Sequence, residues 1–179
     1  FALDAATHKA LSQQFQERQV QKLYHALVEG CPNPLEGEID RSIAPHPTVP
    51  GKMMASSKGK SALTHYRVLT RFRDYTLMEA DIKTGRTHQI RVHFSSIGHP
   101  LVVDPLYGKR DALLLSEIKR KHFRIGQNSV ERPLLNRLSL HAHSLQVTHP
   151  QRNEILKIEA PYFKDFRAVL NQLQKWNAH

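Results

Sequence analysis

A chain of 179 residues with 40% hydrophobic and 23% charged residues holds enough apolar material for one folded core, which excludes a disordered or fibrous protein. A single cysteine, Cys31, excludes an internal disulfide and a cysteine-rich zinc site, fits a reducing cytoplasm, and stands beside no recognisable base. The balance of 26 Lys plus Arg against 16 Asp plus Glu gives a net +10, which attracts polyanions, nucleic acid first among them, or serves solubility alone.

In chain order, Ala10, Leu11 and Phe15 recur on one side of a polar stretch, so a helix is expected over about 5–18 with Asp4 as its N-cap. Residues 22–29 alternate, Leu23, His25 and Leu27 against Tyr24, Ala26 and Val28, which predicts a strand stopped by the Gly30 to Pro34 cluster. The stretch 30–59 holds five of the ten prolines and reads as a long connection with short extended pieces. Strands at 62–72 and 75–82 flank the Arg73-Asp74 turn of a hairpin. After Thr84-Gly85 a helix is expected over about 87–97, with Ile90, Phe94 and Ile97 on its apolar side and Gly98 and Pro100 ending it. Short strands follow near 139–140, 145–148 and 154–159. A final helix over 163–176 carries one apolar stripe, Phe163, Phe166, Val169, Leu170, Leu173 and Trp176. Hairpins mixed with isolated helices and no strand-helix-strand rhythm predict an α+β fold, a largely antiparallel mixed sheet flanked by helices, as one domain over 1–179.

The densest polar cluster, 83–93, lies where a strand turns into a helix. A helix start offers unpaired N–H groups and positive dipole charge, so Arg86, His88 and Arg91 there suit a phosphate or a carboxylate. His88 and Arg91 share one face by their i, i+3 spacing. From these residues alone, a solvated basic face with core histidines remains open. The segment 109–137 holds eight cations (Lys109, Arg110, Lys119, Arg120, Lys121, Arg124, Arg132, Arg137) against Asp111, Glu117 and Glu131, half of the net charge. It is expected to fold as a helix with a mobile flank, either touching RNA phosphates through Lys119, Arg120 and Lys121 or forming a solvated lid.

GRTHQIRVH at 85–93 with GHPLVVDPLYG at 98–108 resembles the third signature motif of the RluA family of RNA pseudouridine synthases and its downstream partner. ATHKALSQQFQERQVQKLYHALVEG at 6–30, GKSALTHYRVL at 59–69 and RLSLHAHSLQVTHP at 137–150 resemble further segments of that family in order and spacing. The resemblance implies the pseudouridine synthase fold and isomerisation of uridine to pseudouridine in rRNA or tRNA, without metal or organic cofactor. Carried over, Tyr24 is the tyrosine that stacks on the flipped uracil and assists proton removal at C5. Arg91 is the basic residue that pairs with the catalytic carboxylate, and Ile90 the aliphatic residue near the base. Arg86, His88, Gln89 and Lys22 fall at positions assigned to RNA contact. Chemistry demands such a set: the uridine must leave its stack, rest on an aromatic ring, and meet a carboxylate that a cation keeps ionised.

The family's His-Arg-Leu-Asp segment is absent. Its place would lie upstream of Phe1, and Phe1 is not a methionine, so a truncated and by itself inactive enzyme is expected; a catalytically silent RNA-binding module of the same fold is the alternative. Asp4 lacks the Thr-Ser-Gly continuation, and Asp104 is expected to shape a turn. Gly59-Lys60-Ser61 lacks the earlier glycine of a phosphate-binding loop, since Met54 stands there, and reads as the approach to a strand. Among the twelve histidines, His141 and His143 could flank an ion, but no carboxylate or cysteine stands near at ligand spacing, so no metal is expected. The expected protein is a cytoplasmic monomer that binds RNA and no membrane.

Overall fold

The computed structural model describes residues 1–126 and 130–178. Helix α1 (Ala5–Gln16) starts where the Asp4 carboxylate accepts from the backbone N–H and the hydroxyl of Thr7, both at 2.8 Å. That satisfies one of the orphan donors of a first turn. Buried Gln14 then binds the backbone of Thr148 with both ends of its amide, which docks the helix on the sheet.

Eight strands follow: β1 (Gln21–Glu29), β2 (Glu36–Asp40), β3 (Ile43–Pro45), β4 (Met53–Ala55), β5 (Leu63–Arg71), β6 (Tyr75–Ile82), β7 (Leu140–Thr148) and β8 (Ile155–Glu159). Six form one sheet in the order β2-β5-β6-β1-β7-β8, with every pairing antiparallel, and β3 with β4 forms a separate hairpin. β5 and β6 join through the expected two-residue turn, closed by the N–H of Phe72 on the carbonyl of Tyr75 at 2.9 Å.

β1 is one of the two central strands, and its Ala26, Leu27 and Val28 are fully buried on alternating sides. Leu27 joins Leu77, Val102 and Val103 under α3 (Leu115–Lys119) and α4 (Lys164–Trp176), whose Ile118, Phe166, Val169 and Leu173 complete that core. Ala26 and Val28 join Met78, Ala80 and Leu101 beneath α2 (Gln89–Ser96), which contributes Ile90 and Phe94. One sheet thus carries an apolar layer on each face, the alternation of β1 assigning a helix to each.

Three expectations change. The separate strands near 139–140 and 145–148 are one continuous β7, because its partner β1 is continuous. Phe163 precedes α4 and is 64% exposed, so the buried stripe starts at Phe166. Within 109–137 the helix is only α3, continued by a 3-10 turn at Arg120–His122; residues 127–129 of that segment lie outside the described ones. No helix among the described residues is long and apolar enough to cross a membrane.

Candidate active site

The loop after β6 is held from inside by one amide. The Gln89 side-chain oxygen accepts from the Thr84 hydroxyl at 2.7 Å and from the backbone N–H of Arg86 at 3.0 Å, while its nitrogen donates to the carbonyl of Leu63 and the hydroxyl of Thr64, each at 3.0 Å. One turn later the fully buried His93 meets the Thr64 hydroxyl and the Arg41 carbonyl, both at 2.9 Å. Gln89 and His93, four residues apart, therefore face the start of β5, and Ile90 and Phe94 face the core. The remaining side of α2, with His88 and Arg91, turns to the loop after α2. Gln89 was expected at RNA; at 3% exposure and with its amide fully engaged, it shapes the loop instead.

His88, just before α2, takes a left-handed φ of 56°, rare outside glycine. Its Nδ1 lies 2.9 Å from the Tyr107 hydroxyl, which accepts from the N–H of Met53 at 2.7 Å and so is left to donate to the imidazole. Burial, helped by the nearby Arg91 charge, holds the His88 imidazole below its ordinary range, which matches that neutral, accepting form. Tyr107 thereby ties the β3-β4 hairpin to the head of α2.

Arg91 grips Asp104 with a two-pronged ion pair, Nε to Oδ2 at 2.8 Å and Nη2 to Oδ1 at 2.7 Å, and its guanidinium lies 4.8 Å from the Tyr107 ring centroid. Asp104 is fully buried and also accepts from the backbone N–H groups of Leu106 and Tyr107, so it shapes the expected turn as well. Burial opposes its ionisation, but Arg91 and these two N–H groups outweigh that and hold the carboxyl below the usual carboxylate range. The carboxylate partner of Arg91 within this chain is therefore Asp104. Gly108 closes the turn so tightly that a Cβ there would stand 2.8 Å from the Asp104 carbonyl oxygen.

Beyond Arg91 opens a cavity of about 500 Å³ between Val103, Pro105, Ala112, Leu138 and Arg137. Tyr24 is not one of its walls. It sits on the same sheet face as α2, half-buried against the cluster that contains Ile90. It pairs with Ala142 in β7, one same-face step from Ala26 and its partner Leu140. Burial pushes the Tyr24 phenol up, so it stays protonated at neutral pH. Lys22 lies one same-face step further, half-exposed. Arg86 donates from Nε to the Ser61 carbonyl at 3.0 Å and walls a second cavity of about 460 Å³ with Lys58 and Lys60.

The structure thus joins His88 and Arg91 at the head of α2 through Tyr107, sets Tyr24 and Ile90 in one apolar cluster, holds Arg86 beside a separate cavity, and leaves Lys119, Arg120 and Lys121 beside α4 on the opposite sheet face. Sequence reasoning missed Tyr107 as the hub of this corner and His93 as a pin. The i, i+4 spacing of Gln89 and His93 was a signal for the latter. His25, His141 and His143 cluster with Tyr162, His25 and His143 stacking at 3.8 Å, and no group of three or more metal-binding side chains is arranged for an ion among the described residues.

A family model described as RNA pseudouridylate synthase matches residues 1–96. The chain is 40% identical over 166 residues to the ribosomal large subunit pseudouridine synthase D of Nitrosomonas europaea, covering 92% of this chain and 44% of that protein. To the protein of the same description in Pseudomonas aeruginosa it is 40% identical over 170 residues, 94% of this chain and 50% of the relative. It aligns with the solved structure of human RNA pseudouridylate synthase domain containing 1 at a TM-score of 0.70 and 28% identity, over 99% of this chain and 67% of that one. The chain spans about half the length of the curated relatives it matches.

Proposed function

The chain belongs to the RNA pseudouridylate synthase family, and we propose on that premise that its protein isomerises uridine to pseudouridine in ribosomal or transfer RNA at the corner built around α2. The supporting observation is that Tyr24 and Ile90 meet in one apolar cluster while the next residue, Arg91, turns its charge to the adjoining loop. A flipped uracil needs an aromatic face, worth ~1–3 kcal/mol in single-strand stacking, and an apolar floor. Tyr24 offers the first and Ile90 the second.

Because its phenol is neutral at pH 7, Tyr24 aids loss of the C5 proton as a relay, accepting one proton as it passes on its own. The carboxylate that acts on the sugar is that of the family's His-Arg-Leu-Asp segment, which is not among these 179 residues. Asp104 is no substitute, since Arg91 and two backbone N–H groups already saturate it. The isomerisation exchanges one bond to the same uracil for another without net redox change, so it calls for no redox cofactor. His88, Arg86 and Lys22 serve as RNA contacts in this reading, and the protein works as a cytoplasmic monomer.

The test is tritium release from C5-labelled uridine in total rRNA and tRNA by the complete protein carrying this chain. Tyr24→Phe and Arg91→Ala are expected to lose that release. Full activity in both would remove the site assignment, and no release by the wild type would favour a non-catalytic RNA-binding module.

A further inference from the structure

On the sheet face away from α2, the end of α3, the end of α4 and the β5-β6 turn enclose a cavity of about 490 Å³. Its walls include Arg73, Lys119, Arg120, Lys121, Lys175 and Trp176. The enclosure is built rather than incidental. Buried Asn177 accepts from the N–H of Arg73 at 2.7 Å through its backbone carbonyl, and from the N–H of Asp74 at 3.1 Å through its side-chain oxygen, so the hairpin turn is locked to the end of α4. Arg120 adopts a φ of 50°, which bends the chain sharply from α3 into the 3-10 turn and brings its guanidinium to Asp74 at 2.6 Å.

Among the described residues Arg120 is the one cation of this wall in an ion pair; Arg73, Lys119, Lys121 and Lys175 have no carboxylate oxygen within 4.0 Å. Lys119 and Lys175 hold their ammonium groups over the Trp176 ring, at 5.1 and 5.3 Å from its centroid, and the His122 ring stacks on it at 5.5 Å. Cation-π contact limits the wandering of two otherwise free lysines. Among the described residues, four cations without an ion-pair partner thus converge on one concavity, an arrangement that repels itself and that an anion of several charges relieves.

We propose that this cavity is a second RNA site, which binds backbone phosphates of the substrate at a distance from the modified uridine. The proposal rests on the reading that the protein acts on RNA. β6 separates the two cationic surfaces: it starts next to Arg73 and ends before Arg86, a span of roughly 23 Å at about 3.3 Å per residue, with the surfaces on opposite faces of the sheet. Only an RNA that reaches around the sheet edge engages both. Phosphate contacts carry no sequence information, so the cavity strengthens and orients binding without choosing the base.

The experiment measures binding of the complete protein carrying this chain to a long unmodified rRNA transcript and to a short hairpin, across a series of KCl concentrations. The proteins are wild type, Lys119→Gln/Lys121→Gln/Lys175→Gln, and Lys121→Glu, which removes an exposed side chain outside the Trp176 stack. Each lost phosphate contact lowers the slope of log affinity against log salt by ~0.7 to ~0.9. The triple variant is therefore expected to flatten the slope on the long transcript by about 2. Lys121→Glu is expected to weaken binding to the long transcript severalfold, and the hairpin slope should stay at wild type. Equal slopes for wild type and variants on the long transcript overturn the proposal, as does an equal loss on the hairpin. Tritium release with an unchanged slope defeats the second site alone; a flattened slope without tritium release defeats the isomerase reading alone.

Discussion

Replacing Asp104 by asparagine tests the corner on which the candidate site depends. Asp104 is fully buried, its partner Arg91 has a side chain only 12% exposed, and the two share a pair of bonds at 2.7 and 2.8 Å. Asparagine keeps an oxygen for the N–H groups of Leu106 and Tyr107 but leaves the guanidinium charge without its counter-ion in a poorly hydrated place. Breaking one side of such a pair costs about 3–5 kcal/mol. Arg91→Met alone strands the carboxylate and is costly for the same reason. The double variant removes both charges, so its loss should fall short of the summed single losses by about 2 kcal/mol. Urea unfolding followed through the fluorescence of the single tryptophan, Trp176, reads all four proteins. A loss below about 1 kcal/mol for Asp104→Asn, together with additive singles, would mean the pair does not hold the loop as described.

His25 supplies a pH prediction. Burial first, then the charge of stacked His143, against the pull of Glu79, depresses its imidazole from 6.5 to about 4. The unfolded chain takes up this proton below pH 6.5 and the folded chain only near 4, so stability falls as pH drops across that window, by roughly 3 kcal/mol in all, and levels off below it. Urea midpoints at pH 7 and pH 4.5 should converge in His25→Gln relative to wild type; the same pH dependence in both would contradict the assignment. Gly59 supplies a packing prediction, since a Cβ there would stand 2.3 Å from the carbonyl carbon of Ile43 and 2.8 Å from the nitrogen of Ala44. Backbone cannot yield as a side chain does, so Gly59→Ala should destabilise the protein by about 1–3 kcal/mol in the same unfolding assay, and a neutral result would show that the β3-β4 hairpin sits further from this loop.

Local periodicity and turn chemistry suffice for much of this protein. Asp4 followed by Thr7 announces the cap of α1 because a cap is a contact across three residues. The alternation of 22–29 separates Leu27 from Ala26 and Val28, and the structure places those two sets in opposite apolar layers. The Arg73-Asp74 turn and the helix that opens near His88 are equally local. Where the partner is distant in the chain, the sequence is silent. Gln89 reads as an RNA contact until Leu63 and Thr64 are seen to take its amide from 25 residues away or more. Phe163 fits the stripe of α4 on paper, yet it precedes the helix and lies exposed. Lys119 and Arg120 share the charge sign of Arg86, and only the alternation of β1 under two different helices puts them on another face. The common reason is that a side chain's partner is chosen by which strands pair and which face a helix covers, and those choices are made by the whole chain's burial rather than by any one window of it.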